Sequence, residues 1–298
     1  MLHHRLLVGS LLIGILVGLC WLDQTQALGA TPGAWLFPLA VVLSVLASGE
    51  ILALVTHEDR KPAAGIVYVG NLAIVGANVV PLFWPRFAEE LAGGMFSWPL
   101  AALVIVMLIV FVVEMWRYKQ PGQSIQNISA AILCLIYVGL LLTFVVQLSF
   151  GIRVNGLLQL LSLIIVVKMG DTGAYTMGRM IGRHKMTPRL SPAKTWEGFG
   201  GAMLFAVAGS WATFHWLAPR MGANSLAAME TWRWIAFGLI VGIAGLLGDL
   251  AESLLKRDAG QKNSSTWMPG LGGVLDVLDS ILFAAPVAYL CWAGGLLG

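Results

Sequence analysis

Three carboxylates toward the end of the chain have the type and spacing to act together: Asp249, Asp276 and Asp279. Asp249, Glu252, Ser253 and Lys256 stand at i, i+3, i+4 and i+7, one polar stripe on an otherwise apolar helix. An acid at the centre of a bilayer costs about 2.5 kcal/mol or more, so a stripe of this kind faces a cavity or a partner. Asp276 and Asp279 are three apart, share a helix face and open the last apolar run. Before them lie Lys262-Asn263-Ser264-Ser265-Thr266 and the turn Pro269-Gly270-Leu271-Gly272-Gly273, whose glycines expose backbone amides. Carboxylate oxygens suit Mg²⁺, which bridges protein carboxylates and substrate phosphates. The plainer reading pairs the same acids with Lys256, Arg257 and Lys262 as structural ion pairs. Three acids beside a glycine turn and a serine run favour a site.

A second polar stretch precedes this one. Asp171 and Tyr175 are four apart and Lys168 and Asp171 three apart, so each pair shares a helix face. Gly170, Gly173, Gly178 and Gly182 allow close backbone approach. In Ser191-Pro192-Ala193-Lys194-Thr195-Trp196-Glu197 the serine reads as a helix cap and the proline as its first turn. Lys194 and Thr195 would then lie beside free amides, a combination that holds phosphate. Loop bases also anchor the cytoplasmic face of membrane proteins without further function.

The elements that must carry these residues are membrane helices. Of 298 residues, 58% are hydrophobic and only 11% charged, against about 25% charged in soluble domains. Spanning helices need about 20 mostly apolar residues. Nine candidates fit: 5–22, 34–55, 66–84, 98–116, 128–149, 155–169, 199–217, 233–248 and 274–296. With the N-terminus in the cytoplasm, 14 of the 18 Lys and Arg fall on the cytoplasmic side. The expectation is an all-α, polytopic transmembrane bundle of about nine spans. Residues 1–168 would be spans with short loops. Residues 169–298 would be a catalytic membrane region whose polar segments, 169–198 and 249–273, face the cytoplasm. Arg5, the apolar run after it and the small residues around Ala27–Ala30 also fit a cleaved signal peptide, which would leave eight spans in the same orientation.

Other polar residues carry less. Glu50 lies inside the second apolar run, where an acid is either functional or hydrogen-bonded to a partner. Asn71 and Asn78, seven apart, read as helix-joining residues, Glu114 as interfacial, and His184 and His215 as polar contacts. Cys20, Cys134 and Cys291 sit in apolar runs without paired spacing and read as core residues. The net charge of +3 is not gathered on a soluble polar face, which excludes a nucleic-acid partner.

The two polar segments together resemble the phosphatidate cytidylyltransferase family. Its C-terminal signature runs roughly S-x-x-K-R-x4-K-D-S-G-x3-P-G-H-G-G-x-x-D-R-x-D. Ser253, Lys256-Arg257, Lys262, Ser264, Pro269-Gly270, Gly272-Gly273, Asp276 and Asp279 fall in register with it, and Asp171 to Tyr175 and Ser191 to Gly198 are similar to the family's other hallmark. The match covers about residues 168–298; the first half fits by helical character alone. Departures from the pattern include Asn263 for the usual Asp, Leu271 for His and Val277 for Arg.

The resemblance implies an enzyme of a bacterial cytoplasmic membrane that joins CTP to phosphatidic acid and releases pyrophosphate. Asp249, Asp276 and Asp279 would bind Mg²⁺, with room for a second cation. Lys194, Lys256, Arg257 and Lys262 would hold phosphates, and Ser264, Ser265 and the amides of Gly272 and Gly273 the triphosphate. Asp171, Tyr175, Ser191, Thr195, Glu197 and Ser253 would line the substrate site. The bilayer supplies the lipid, and a homodimer is implied by the resemblance alone. The rivals are a CTP-dependent lipid-alcohol kinase, a transporter, and a weakly active or silent paralogue motivated by Asn263, Leu271 and Val277.

Overall fold

The structure is a computed structural model that describes residues 14–25, 33–57, 60–83, 96–151, 155–261, 264–265 and 272–297. Without water to satisfy its backbone, an apolar run in lipid closes its own hydrogen bonds as a helix, and the described parts of all nine apolar runs are helical. They are α1 (Gly14–Gln24), α2 (Phe37–Val55), α3 (Ala64–Gly76), α4 (Ser97–Arg117), α5 (Ser124–Phe150), α6 (Gly156–Ile181), α7 (Trp196–Ala212), α8 (Thr231–Asp258) and α9 (Val274–Ala293). Six of them, α2, α4, α5, α6, α8 and α9, are long and apolar enough to cross a membrane.

Two helices outrun their apolar cores. α6 continues from the expected end at 169 to Ile181, and α8 from 248 to Asp258. The polar segments are therefore partly helical. In α8 the extension carries the Glu252–Lys256 ion pair, four residues apart on one face.

The expected helix start at Ser191-Pro192 is not there. Ser191–Thr195 is strand β2, paired antiparallel with β1 (Lys185–Thr187) in the register Lys185 to Thr195 and Thr187 to Ser191. A hairpin of two edge strands tolerates Pro192, because a strand edge needs no amide donor there. The cap is Thr195, extended at φ −127° and ψ 156°, whose Oγ1 accepts the Gly198 amide at 3.1 Å.

The chain divides into two compact units. The first comprises Met1–Leu19, Trp35–Gln147 and Asn263–Asp276. In it α3 packs on α2, on α4 and on a π-helical turn of α5 at Leu135–Leu140. Buried amides join the helices as their spacing suggests. Asn71 Nδ2 donates to Ser48 Oγ at 2.7 Å, and Asn78 meets Thr143 at 3.3 Å and Gln147 at 2.8 Å. Glu114, read as interfacial, is buried, because Arg117 Nη1 at 2.6 Å and Asn127 Nδ2 at 3.1 Å both donate to it.

The second unit comprises Cys20–Ala34, Leu148–Lys262 and Val277–Gly298. Its centre is the seam between α6 and α7, where Gly173 and Gly201 face each other's backbones. A Cβ at Gly173 would stand 2.3 Å from the Gly201 carbonyl oxygen, and one at Gly201 2.6 Å from the Gly173 oxygen. Association in lipid relies on such backbone approach, since apolar burial gives no net drive there. Phe214, Phe237 and Trp292 pack edge to face in the core, and Trp292 Nε1 donates to Ser162 at 3.2 Å.

The seam makes a direct prediction. Gly173→Val should destabilise the protein by about 1–3 kcal/mol, the usual cost of overpacking a closed contact. Gly200→Ala, whose new methyl would meet nothing within 4 Å, should not lower stability. Thermal unfolding of the two variants in detergent, with size-exclusion profiles, checks the difference.

Candidate active site

In the second unit α8 and α9 touch at Gly248. A Cβ there would lie 2.5 Å from the Asp279 carbonyl oxygen and 2.7 Å from Phe283 Cβ. The next residue, Asp249, is thereby held near enough to Asp279 for the two carboxylates to repel each other. Asp279 is buried at 5% exposure, and its Oδ1 accepts the Ser280 amide. Asp249 is more open, with 40% of its side chain exposed.

Two lysines offset this charge. Lys194, leaving the end of β2, places Nζ 3.0 Å from Asp249 Oδ2 and donates to the Leu246 carbonyl at 3.3 Å. Lys168 on α6 lies 3.1 Å from Asp171 Oδ2 and donates to the Val277 carbonyl at 3.2 Å. Lys168 and Asp171 both act electrostatically on Asp279. Four elements, α6, β2, α8 and α9, thus gather Asp171, Asp249 and Asp279 with Lys168 and Lys194. An ammonium also sits at Val277, where the resembled pattern carries arginine.

The other expected site residues of this unit hold structure around the cluster. Lys256 pairs with the fully buried Glu252. Arg257 Nε donates to the Leu190 carbonyl at 3.3 Å and ties the end of α8 to the hairpin turn. Tyr175, largely exposed, accepts from Arg179 Nη1 at 2.6 Å. Ser253 is half-buried on α8, Ser191 opens β2, and Thr195 caps α7.

Glu197 closes the hairpin from its far end. Its carboxylate lies 2.6 Å from His184 Nδ1 and accepts the amides of Arg183 at 3.1 Å and His184 at 3.2 Å. The contact with the His184 ring, with backbone amides adding to it, lowers the carboxyl from 4.5 to about 2.

In the first unit Asp276 sits in the first turn of α9. Its Oδ2 accepts the Ser264 hydroxyl at 2.7 Å and the amides of Gly273 at 2.7 Å and Ser264 at 3.1 Å. The turn closes on that oxygen because Gly272 has φ 88° and no side chain; a Cβ there would stand 2.4 Å from Oδ2. Ser264 and the Gly273 amide are thus bonded to Asp276. Ser265 is half-buried beside Ser264. Asp276 and Asp279 are one turn apart on α9. Lys262, Asn263 and Leu271 lie outside the described residues.

Sequence reasoning left two roles undetermined. Glu50 binds the start of α9, accepting the Val274 and Leu275 amides at 2.8 and 2.7 Å. Its signal was an acid in an apolar run, which carries no clue to its partner. The Lys194–Asp249 pair spans 55 residues of chain, and no spacing rule links the two.

Among the described residues no group of three or more His, Cys, Asp or Glu side chains is arranged to hold a metal ion. The donor set of the second unit nevertheless fits Mg²⁺. That ion commonly takes one or two protein carboxylates and completes its shell with substrate phosphates and water, and Asp249 and Asp279 are two neighbouring hard-oxygen donors.

Long apolar helices with carboxylates and ammoniums clustered between them define a polytopic integral membrane protein with a partly buried polar cluster. Residues 3–293 match the cytidylyltransferase family, so the chain belongs to that family. The match reaches into the first half, where motifs were not legible. Among its relatives are three bacterial proteins named phosphatidate cytidylyltransferase. The one from Mycobacterium bovis is 28% identical over 300 residues, covering 96% of this chain and 88% of the relative. The one from Synechocystis is 31% identical over 289 residues, covering 86% and 88%. The one from Staphylococcus aureus strain COL is 31% identical over 252 residues, covering 83% and 88%.

The Glu197 contacts carry a pH prediction. A carboxyl lowered from 4.5 to about 2 stabilises the fold fully above its unfolded value and loses that contribution as pH falls toward 2. Exchange at the Arg183 and His184 amides, after correction for intrinsic rates, should rise as pH falls below about 4.5. Glu197→Gln should show the faster exchange already at pH 7.

Proposed function

We propose that this chain transfers the cytidylyl group of CTP to phosphatidic acid, giving CDP-diacylglycerol and pyrophosphate. One observation carries the reading: lysines and carboxylates from four elements meet in a single unit of a membrane protein of the cytidylyltransferase family. The names of the bacterial relatives supply the substrates.

A phosphomonoester has its second pKa at about 6, so phosphatidate is largely a dianion at neutral pH. Its oxygen is already a nucleophile, and no catalytic base or covalent serine is needed. The oxygen attacks the α-phosphorus of CTP, a new P–O bond forms, and the bond between the α-phosphorus and the bridging oxygen breaks. The electron pair leaves with pyrophosphate. The protein's work is to align that displacement and to balance charge on the leaving group.

Asp249 and Asp279, with Asp276 one turn earlier on α9, are assigned to Mg²⁺, which when bound would supply a Lewis-acid contact to the phosphate oxygens. Lys194 and Lys168 are assigned to the phosphates, as the ammoniums already beside the carboxylates. Lys256 and Arg257 at the end of α8, and Lys262, add positive charge for the triphosphate. Ser264, Ser265, Gly272 and Gly273 shape the turn before α9, while Asp171, Tyr175, Ser191, Thr195, Glu197 and Ser253 build the walls through α6, the hairpin and α8. CTP enters from the cytoplasm and the lipid from the bilayer. Nine spans with a cytoplasmic N-terminus fit the distribution of Lys and Arg. A bacterial cytoplasmic membrane accords with the sources of the relatives, and a homodimer rests on the family resemblance.

The test is purified full-length protein with radiolabelled CTP and phosphatidic acid, with and without Mg²⁺. Labelled CDP-diacylglycerol and pyrophosphate should form one for one and only with the divalent ion. Phosphorylated lipid with CDP would make the protein a kinase, and neither product a silent paralogue. Asp249→Asn and Asp276→Asn should each lower kcat roughly 100-fold or more, as loss of a charge-stabilising group at a reacting centre does, while the protein stays folded in membranes. Full turnover by either variant would remove that residue from the site.

A further inference from the structure

Glu50 is an acid that the mechanism above leaves unused. It lies on α2 within a candidate span and is buried. Its Oε1 accepts the Val274 amide at 2.8 Å, and its Oε2 accepts the Leu275 amide at 2.7 Å. The same Oε2 is 3.0 Å from the Ser264 hydroxyl, which also stands 2.7 Å from Asp276 Oδ2. The glycine between them is fitted to this arrangement. A Cβ at Gly273 would be 2.2 Å from Ser264 Oγ and 2.3 Å from Glu50 Oε2.

Helix starts are ordinarily capped by a nearby Ser, Thr, Asp or Asn. Here the cap comes from 224 residues away in sequence. It also places a carboxylate in an apolar helix, which is costly before its donors offset it. A neutral local cap would serve the helix equally well. What the distant carboxylate adds is a second connection, through Ser264, to the acid in the same turn.

We infer that Glu50 is a positioning residue for cytidylyl transfer: by holding the first amides of α9 and sharing the single Ser264 hydroxyl proton with Asp276, it fixes the direction of the Asp276 carboxylate. This rests on the assignment of Asp276 to the site. Removing the support should act as loss of a partner to a metal-binding ligand does, by roughly 10- to 100-fold in metal affinity or turnover. Glutamine at position 50 can accept one amide, but its own NH₂ then faces a second donor, so the arrangement cannot be kept.

The experiment uses the full chain in nanodiscs. Glu50→Gln should lower kcat and raise the Mg²⁺ concentration for half-maximal activity, with the KM for phosphatidic acid little changed. Glu50→Asp should restore part of the loss. Ser264→Ala should shift the Mg²⁺ requirement in the same direction, and the double variant Glu50→Gln/Ser264→Ala should be no worse than the more impaired single one. Without Mg²⁺ or substrate, hydrogen exchange at the amides of Gly273, Val274 and Leu275 should accelerate in Glu50→Gln. If Glu50→Gln melts earlier but its folded fraction keeps wild-type kcat and Mg²⁺ requirement, the inference is overturned and Glu50 is a cap alone. If Glu50→Gln does not fold, Ser264→Ala, which spares both amide bonds of Glu50, decides: unchanged kcat and Mg²⁺ requirement overturn the inference. Failure of the underlying assignment looks different, because Asp276→Asn would then be fully active while exchange at residues 273–275 still accelerates in Glu50→Gln.

Discussion

Negative charge among apolar helices has to be compensated where it sits, and this requirement organises both units. In hydrocarbon an uncompensated carboxylate is costly, and water is not at hand to relieve it. Glu114 is held by Arg117 and Asn127, and Glu252 by Lys256. Asp171 has Lys168, and Asp249 has Lys194. Backbone amides and a hydroxyl also serve, as around Asp276. The polar stripe along α8 illustrates the division of labour. Glu252 and Lys256 pair deep in the helix packing, and Asp249, one turn earlier, is left partly exposed against a lysine from a different element.

Placement of these groups depends on residues without chemistry of their own. Glycines on α6 and α7 bring two backbones together and so carry the hairpin, with Lys194 at its end, toward α8. The hairpin is in turn pinned at its turn by Arg257 and at its base by Glu197. Of the side chains expected to touch substrate, several are the fasteners of this frame. A basic or hydroxyl residue in a signature can therefore be retained for the shape of the site as well as for contact with phosphate.

The helices were legible in the sequence because apolar runs of the right length leave lipid-embedded backbone few alternatives. The stripe at 249–256 and the 276–279 pair were legible for the same reason, since helical spacing determines which residues share a face. The hairpin was not. Ser191-Pro192 has the local chemistry of a helix start, and only pairing with Lys185–Thr187 shows that the chain stays extended until Thr195. Glu50 was recognisable as an anomaly, but its partners lie more than two hundred residues away. Periodicity reports the face a residue is on, and a tertiary cap is a matter of what that face meets.

The contact at Gly248 has a mechanical consequence. With the Asp279 carbonyl and Phe283 Cβ set against a glycine, α8 and α9 cannot come closer at that point without displacing backbone. Gly248 therefore sets how near the carboxylates of Asp249 and Asp279 can stand, and the ammoniums of Lys194 and Lys168 are placed to meet the charge that this nearness concentrates.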